Sequence, residues 1–265
     1  MATATLPTGP TIAYTDTGGP GLPVVLAHGF MLDSDLFAAQ VEALSSQFRV
    51  ITWDARGHGG TTYDGRPFTE WDNVEDLVAL MDALGIDRAV IGGHSQGGYI
   101  SLAAALRHPG RVLGLVLINT TSHSQVASTA DTGEREHLAA RWEIEGPTDE
   151  LCRALAHMAF GGDDVEPWIA KWKARPPDSV LVPFRAVLHR DDLTDRLSRI
   201  TAPALVIHGT ADASIALDEA RDYAARIPNA GPVVAVDGAP HASCYTHPRP
   251  VNEAILEFLG GLPAQ

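Results

Sequence analysis

The chain has 265 residues, of which 45% are hydrophobic and 20% charged, so it is long enough for one large packed domain and too apolar to be disordered. Its formal net charge of −14 argues against a nucleic acid or an anionic membrane surface as a partner, because either would repel the protein. We expect a cytoplasmic protein for three reasons. The two cysteines have no disulfide, metal or redox spacing, and the N-terminus has no signal-peptide pattern. No apolar run reaches membrane-spanning length.

Short β-type runs alternate with helical patterns along most of the chain, which predicts a mainly parallel sheet with helices on both faces. Before residue 121 the predicted strands are 11–15, 23–27, 48–53, 89–92 and 111–118, and helical spacing begins at 34, 73 and 96. The same alternation resumes with strands 204–208 and 233–236 and with helices near 218–227 and 249–259.

The rhythm breaks after Asn119. Residues 122–194 contain no convincing strand and show short amphipathic helices separated by Gly-Pro, Gly-Gly and Pro-Pro pairs at 146–147, 161–162 and 176–177. We therefore predict a helical cap segment, residues 122–194, inserted between two parts of one α/β core, residues 1–121 and 195–265.

The stretch Gly93-His94-Ser95-Gln96-Gly97 joins an apolar β-type run to a helical pattern. The pattern Gly-x-Ser-x-Gly at such a junction is typical of a nucleophile elbow, a sharp turn that exposes a serine hydroxyl above a sheet. Because glycine and serine also fill ordinary loops, a base, an acid and an oxyanion site must be found elsewhere in the chain.

A serine hydroxyl needs a base within hydrogen-bond reach, and histidine suits this role. His241 follows the last predicted strand, and Asp212 follows the strand before it, so both fall at the edge of the sheet where Ser95 lies. The chain order Ser95, Asp212, His241 is the one expected when an elbow serine heads such a sheet. Asp237 is a rival acid, whereas Asn119, at the end of another strand, cannot carry the charge.

Acyl transfer also needs donors for an oxyanion. We expect one from the backbone N–H of Gln96, at a helix N-terminus, and the other from Phe30 in the loop after strand 23–27. His28 is expected to brace that loop, and His94 to pack at the elbow. No metal site is predicted, because His28, His94 and Asp212 have no metal-ligand spacing.

With these features the chain resembles the α/β-hydrolase superfamily over nearly its whole length. The matching stretches are His28-Gly29-Phe30, 54–59, 93–97, 209–212 and 238–241. Within the superfamily it is similar to the small esterase, lactonase and non-haem haloperoxidase-like branch. The resemblance implies a mainly parallel sheet of the eight-stranded type, a helical cap and a Ser/Asp/His triad without a cofactor.

Other branches differ at identifiable residues. Ser95 argues against haloalkane dehalogenases and epoxide hydrolases, which carry an aspartate at the elbow. Meta-cleavage C–C hydrolases share the triad but have a glycine-rich stretch where this chain has Phe30-Met31-Leu32-Asp33. Enol-lactonases look similar around 56–59 and 83–87, although their elbow usually reads Ser-Met-Gly. A cofactor-free dioxygenase, a perhydrolase and a non-catalytic ligand-binding member stay open.

The sequence thus favours a serine hydrolase that cleaves a carboxylic ester or lactone through an acyl-enzyme on Ser95. We expect a small, hydrophobic or aromatic substrate, bound between core and cap segment, and a homodimer is compatible with the sequence. The predicted pocket residues are Phe30, Met31, His94, Trp142, His157, Met158, Phe160, Trp168 and Trp172.

Overall fold

The computed structural model describes residues 1–124, 140–162, 165–176 and 179–263, which are organised around an eight-stranded sheet. The sheet order is β1-β2-β4-β3-β5-β6-β7-β8; β2 runs antiparallel to both β1 and β4, and all other pairs are parallel. The strands are β1 (Ala2–Thr5), β2 (Thr11–Asp16), β3 (Pro23–Ala27), β4 (Arg49–Trp53), β5 (Ala89–His94), β6 (Val112–Ile118), β7 (Ala204–Gly209) and β8 (Val234–Val236). The predicted α/β architecture is confirmed.

Helices cover both faces of this sheet. They are α1 (Ala38–Leu44), α2 (Glu70–Ala83), α3 (Gln96–Arg107), α4 (Asp149–Phe160), α5 (Glu166–Ala174), α6 (Leu181–Leu188), α7 (Leu217–Ala224), α8 (Ser243–Thr246) and α9 (Pro248–Gly260). Shorter 3-10 turns occupy Ser34–Phe37, Pro109–Arg111 and Thr194–Arg199, and residues 140–145 are helical. One apolar core lies between the sheet and α2, α3 and α7, and a second lies under α1, α9 and the cap helices.

Helix α2 begins three residues earlier than its apolar periodicity predicts. Thr69 and Asp72 form a capping box, in which the Asp72 carboxylate accepts a hydrogen bond from the Thr69 backbone N–H at 2.7 Å. Such a box satisfies N–H groups that the first helical turn leaves without partners. The helix can therefore begin N-terminal to the position where its apolar periodicity starts.

Between β6 and β7, the described residues are helical or irregular and include no strand. Helix α4 begins after Thr148, whose hydroxyl accepts a hydrogen bond from the Leu151 N–H at 3.3 Å, and ends at Gly161, which has φ 72°. A left-handed glycine is a common helix terminator because it has no Cβ to clash. Of the predicted break at 176–177, Pro177 lies outside the described residues, as do 125–139 and 163–164 of the cap segment. Its limits at 122 and 194 stay a prediction.

Both cysteines are buried thiols, Cys152 in α4 and Cys244 in α8, and burial raises the pKa of Cys244 to about 12. Across the described ranges, no helix combines the length and apolar composition needed to cross a bilayer. The described side chains likewise form no cluster of three histidine, cysteine or acidic residues that could hold a metal ion.

Candidate active site

Ser95 lies in the turn between β5 and α3, with backbone angles of φ 51° and ψ −112°. This left-handed conformation costs a non-glycine residue about 1–3 kcal/mol and occurs mostly at functional sites. A Cβ at Gly93 or Gly97 would overlap the carbonyl oxygen of Ala27 on β3, so neither position can carry a side chain. The two glycines therefore let strand, serine and helix approach closely enough to form the elbow.

His241 and Asp212 are joined at the same edge of the sheet by a hydrogen bond of 2.8 Å between His241 Nδ1 and Asp212 Oδ2. Because an ionised carboxylate only accepts hydrogen bonds, Nδ1 carries the proton and Nε2 is left as the acceptor. The second oxygen, Asp212 Oδ1, accepts the backbone N–H groups of Ser214 and Ile215 at 2.8 and 3.0 Å. The carboxylate is thus fixed on both oxygens, and the imidazole presents a basic nitrogen.

Two further side chains act on the Asp212 carboxylate. Asn119 Nδ2 donates to Oδ2 at 2.8 Å, and His208 Nε2 lies 3.3 Å from the same oxygen. Burial alone would raise the pKa of Asp212, but the charge of His241 and the hydrogen bonds from His208, His241 and Asn119 lower it well below its usual value. Asp212 is therefore ionised at neutral pH. From the sequence, Asn119 was considered only as a residue that cannot replace the acid, and no pattern pointed to His208.

Ser95 and His241 both line one cavity of about 170 Å³ between the core and the cap helices. Of the predicted pocket residues, five lie on its wall: Phe30, Met31, His94, Trp142 and Met158. Most of the remaining wall is aliphatic, and an engineered apolar cavity of about 150 Å³ is large enough to bind benzene. The space therefore suits an apolar group of about that size.

Four predicted pocket residues do not line this cavity. His157 is exposed on α4. The rings of Phe160 and Trp168 stack with centroids 5.9 Å apart, and both pack against Tyr245 of α8, so they attach cap to core. Trp172 is 1% exposed, and its indole N–H donates to the carbonyl of Met31 at 2.8 Å. The presence of aromatic residues in the cap segment therefore did not show which of them line the cavity and which pack the cap against the core.

The wall also includes residues of two cap helices that were not among the predicted pocket residues. On α4, Leu151 and Leu155 precede the predicted Met158 at helical spacing, and from α6 the cavity is lined by Phe184 and Val187. This periodicity is visible in the sequence and is the signal that could have found them.

Arg190 supplies a charged side chain to the cavity wall. Its guanidinium lies 4.5 Å from the ring centroid of Tyr99, and its Nε donates to the carbonyl of His123 at 3.0 Å. Nothing in the sequence pattern singled this residue out.

The expected oxyanion donors belong to two different elements beside the cavity. Gln96 is the first residue of α3, and Phe30 belongs to the oxyanion loop, which we define as residues 28–32. The N–H of Leu32 donates to the carbonyl of Gly29 at 3.1 Å, which closes a turn in which Met31 has φ 66°. Both Phe30 and Gln96 line the cavity.

His28 braces the oxyanion loop from the side of the sheet. Its Nε2 accepts the backbone N–H of Ala55 at 3.0 Å, so its Nδ1 carries the proton and donates to the carbonyl of Gly29 at 2.7 Å. Burial lowers the pKa of His28, which keeps the ring neutral in this role.

His94 directly precedes Ser95 and packs against His241. Its ring centroid lies 4.7 Å from that of His241, and its Nε2 donates to the His241 carbonyl at 3.0 Å. Burial, with a smaller contribution from the charge of His241, lowers the pKa of His94 well below 6.5. The ring is therefore a neutral donor that holds the backbone of His241.

The side chain of Gln96 is held by a buried acid. Gln96 Nε2 donates to Glu70 Oε1 at 2.8 Å, and Asn73 Nδ2 donates to Glu70 Oε2 at 3.0 Å. Burial raises the pKa of Glu70. The first turn of α3 is thereby tied to the first turn of α2.

Known proteins resemble this chain in sequence and in fold. A model of the alpha/beta hydrolase fold matches residues 23–138. The RutD protein of Caulobacter sp. (strain K31), whose name proposes a carbamate hydrolase, is 33% identical over 261 residues, 92% of this chain and 94% of the relative. The non-heme chloroperoxidase of Streptomyces lividans is 31% identical over 98% of this chain and 99% of its own length.

Solved structures give the same result. A thermophilic esterase from Thermogutta terrifontis superposes with a TM-score of 0.86 and 31% identity, over 98% of this chain and 97% of its own. The enol-lactonase from Burkholderia xenovorans LB400 also has a TM-score of 0.86, with 28% identity over 98% of this chain and 100% of its own.

Proposed function

The chain belongs to the alpha/beta hydrolase fold family, and from that premise we propose that it cleaves a carboxylic ester or a lactone through an acyl-enzyme on Ser95. The observation that carries the proposal is the 2.8 Å bond from His241 Nδ1 to the buried Asp212, beside the cavity that Ser95 and His241 share. This bond leaves Nε2 as the base, and a strained serine stands at the same wall.

In the first half of the proposed reaction, His241 Nε2 takes the hydroxyl proton of Ser95 as Oγ attacks the substrate carbonyl. The charge that develops on the carbonyl oxygen is stabilised by the backbone N–H groups of Phe30 and Gln96. When the tetrahedral intermediate collapses, the bond to the leaving oxygen breaks, and His241 gives that oxygen its proton. Asp212 stays ionised and stabilises the imidazolium throughout.

In the second half, a water molecule attacks the acyl-enzyme while His241 Nε2 removes one of its protons. The same N–H groups stabilise the second oxyanion. Collapse of this intermediate releases the carboxylic acid, and Ser95 Oγ recovers its proton from His241. No oxidant or cofactor enters this balance.

Lactones are included in this proposal because of the likeness to the enol-lactonase from Burkholderia xenovorans LB400. Ring opening uses the same steps, but the leaving oxygen stays attached to the acyl group. Carbamate, C–C bond, oxygenase and perhydrolase chemistry on this scaffold, and ligand binding without turnover, are alternatives that a substrate panel separates.

The deciding experiment combines a fluorophosphonate probe with steady-state hydrolysis of p-nitrophenyl esters and lactones. We expect labelling at Ser95 and, for Ser95→Ala, loss of turnover on the order of 10⁶-fold with the same thermal unfolding midpoint as the parent. Ser45→Ala is the matched control, because Ser45 is an exposed serine after α1. Unchanged turnover in Ser95→Ala, or a label on another residue, would overturn the proposal.

A further inference from the structure

The cap helix α5 is attached to the oxyanion loop and to the residues that follow it. The indole N–H of Trp172 donates to the Met31 carbonyl at 2.8 Å, in a site where Trp172 is 1% exposed. One residue earlier, Lys171 Nζ lies 2.7 Å from a carboxylate oxygen of Asp33. These contacts join the end of one cap helix to the segment that carries Phe30.

The conformation of Met31 needs such support. Its φ of 66° lies in the left-handed region, which costs an ordinary L-residue roughly 1–2 kcal/mol. Glycine is the usual residue at this position of the turn that Gly29 and Leu32 close, and this chain has a methionine. Contacts from outside the turn therefore decide whether the strained geometry persists.

Phe30 stands between two anchored carbonyl groups. On its N-terminal side, the Gly29 carbonyl accepts from His28 Nδ1 at 2.7 Å and from the Leu32 N–H at 3.1 Å. On its C-terminal side, the Met31 carbonyl accepts the Trp172 indole N–H. The first anchor belongs to the core and the second to the cap, so the backbone that carries the Phe30 N–H is set jointly by both.

We propose that Trp172 is a positioning residue for the reaction, whose indole N–H fixes the Met31 carbonyl and thereby aims the Phe30 N–H at the oxyanion. The inference rests on the proposed acyl-enzyme function. It assigns the cap a catalytic task besides covering the substrate, because a displaced donor stabilises the transition state less while leaving the ground state almost unaffected.

The test replaces Trp172 by phenylalanine and, as a second variant, by 3-benzothienylalanine, which keeps the bicyclic ring and lacks the N–H. Trp71→Phe is the matched control, because it removes another indole hydrogen bond between core and cap segment, the 3.1 Å bond from Trp71 Nε1 to Asp191. For each protein, fluorophosphonate labelling counts the active sites. Hydrolysis of p-nitrophenyl butanoate then gives kcat per labelled site and KM. Inhibition by butylboronic acid, which forms a tetrahedral adduct on serine, gives Ki.

We expect both Trp172 variants to lose about tenfold in kcat and to bind butylboronic acid about tenfold more weakly, with KM changed less than about twofold. This loss falls short of the roughly 10²–10³-fold cost of deleting an oxyanion donor. Parent values of kcat and Ki in the 3-benzothienylalanine variant would overturn the inference, as would an equal loss in Trp71→Phe. Failure of the parent to label at Ser95 would instead refute the acyl-enzyme function, and this inference with it.

Discussion

Asn119 donates a hydrogen bond of 2.8 Å to Asp212, on the carboxylate oxygen that also accepts from His241. Asn119 lies just beyond β6, has φ 45°, and accepts a hydrogen bond from the Ser243 hydroxyl on its side-chain oxygen Oδ1. Asn119 cannot itself be the acid, and its amide instead orients the carboxylate of Asp212, which follows β7.

Asn119→Gly should lower kcat about tenfold, because a hydrogen bond to a charged group is worth about 1.5–3 kcal/mol and part of that loss is recovered by water. Glycine is chosen because it tolerates the positive φ, so backbone strain does not add to the effect. Steady-state hydrolysis of p-nitrophenyl butanoate measures the change. The Asn119→Ala variant adds backbone strain at this position and should unfold at a lower temperature than Asn119→Gly. Equal kcat values for the parent and Asn119→Gly would contradict the orienting role of Asn119.

Asp212→Asn should reduce kcat on the order of 10⁴-fold. An amide in this place can donate to His241 Nδ1, which favours the tautomer that carries its proton on Nε2 and cannot accept one from Ser95. Asp237→Asn is the control, because Asp237 is the rival acid near His241 in sequence, and its carboxylate instead lies 3.3 Å from the Thr210 hydroxyl. A larger loss in Asp237→Asn would reverse the assignment of the acid.

The same substitution has a signature in stability. The lowered pKa of Asp212 means that the unfolded chain binds a proton here at higher pH than the folded chain does. Its contribution to stability is therefore complete above the usual carboxyl pKa of 3.8 and is lost as pH falls below it. Urea unfolding of parent and Asp212→Asn should differ most near neutral pH, and the difference should shrink below pH 4.

Three buried imidazoles should make the fold sensitive to mild acid. Burial lowers the pKa of His28, and it lowers those of His58 and His94 well below 6.5. The unfolded chain takes up these protons near pH 6.5 and the folded chain does so only at lower pH. Stability is thus complete above pH 6.5 and falls below it, by up to about 1.4 kcal/mol per pH unit for each imidazole.

Urea unfolding between pH 7.5 and 5.5 measures that slope. His58→Gln should reduce this slope by the contribution of one imidazole. Ser45→Ala, which changes an exposed position without a titratable group, should leave it unchanged. A parent stability that is flat across this range would show that the buried rings accept protons in the folded chain.

The sequence predicted most of the sheet because buried parallel strands are continuous apolar runs. The bounds of β3 agree to the residue, and those of β4 and β6 differ by one at one end. Strand β1 was missed because Ala2–Thr5 is a short, mostly exposed run of alanine and threonine that pairs only with β2. The strand is held by pairing with the neighbouring β2, in the register that places Thr5 opposite Thr11, and not by burial of apolar side chains. Helix α8, of four residues, is too short for periodicity to reveal.

The site residues that follow from the order of the strands were predictable from the sequence. Those whose contacts depend on how side chains pack were not. Ser95, Asp212 and His241 were placed by following strands to one edge of the sheet. The role of Trp172 depends on which acceptor its indole N–H meets, and that acceptor, Met31, is 141 residues away in sequence. Composition shows that an aromatic ring will be buried, but not whether it faces a cavity or a backbone carbonyl.

The cavity volume sets an expected limit on the acyl group. A space of about 170 Å³ with mainly aliphatic walls accepts a group of roughly benzene size, so hydrolysis of p-nitrophenyl esters should be fastest for acyl chains of up to about six carbons. Phe184 of α6 closes part of this space, with its ring centroid 5.8 Å from that of Phe30.

Phe184→Ala should therefore move the preferred acyl chain to greater length, because removing a half-buried ring from the wall enlarges the cavity. The measurement is kcat/KM across acetate, butanoate, hexanoate, octanoate and decanoate esters. Phe68→Ala is the control, since Phe68 packs edge-on against Tyr63, 5.5 Å away between centroids, and is not part of the cavity wall. If Phe184→Ala and the parent share one chain-length profile, the acyl group binds elsewhere, and the cavity would have to receive the alcohol side of the ester.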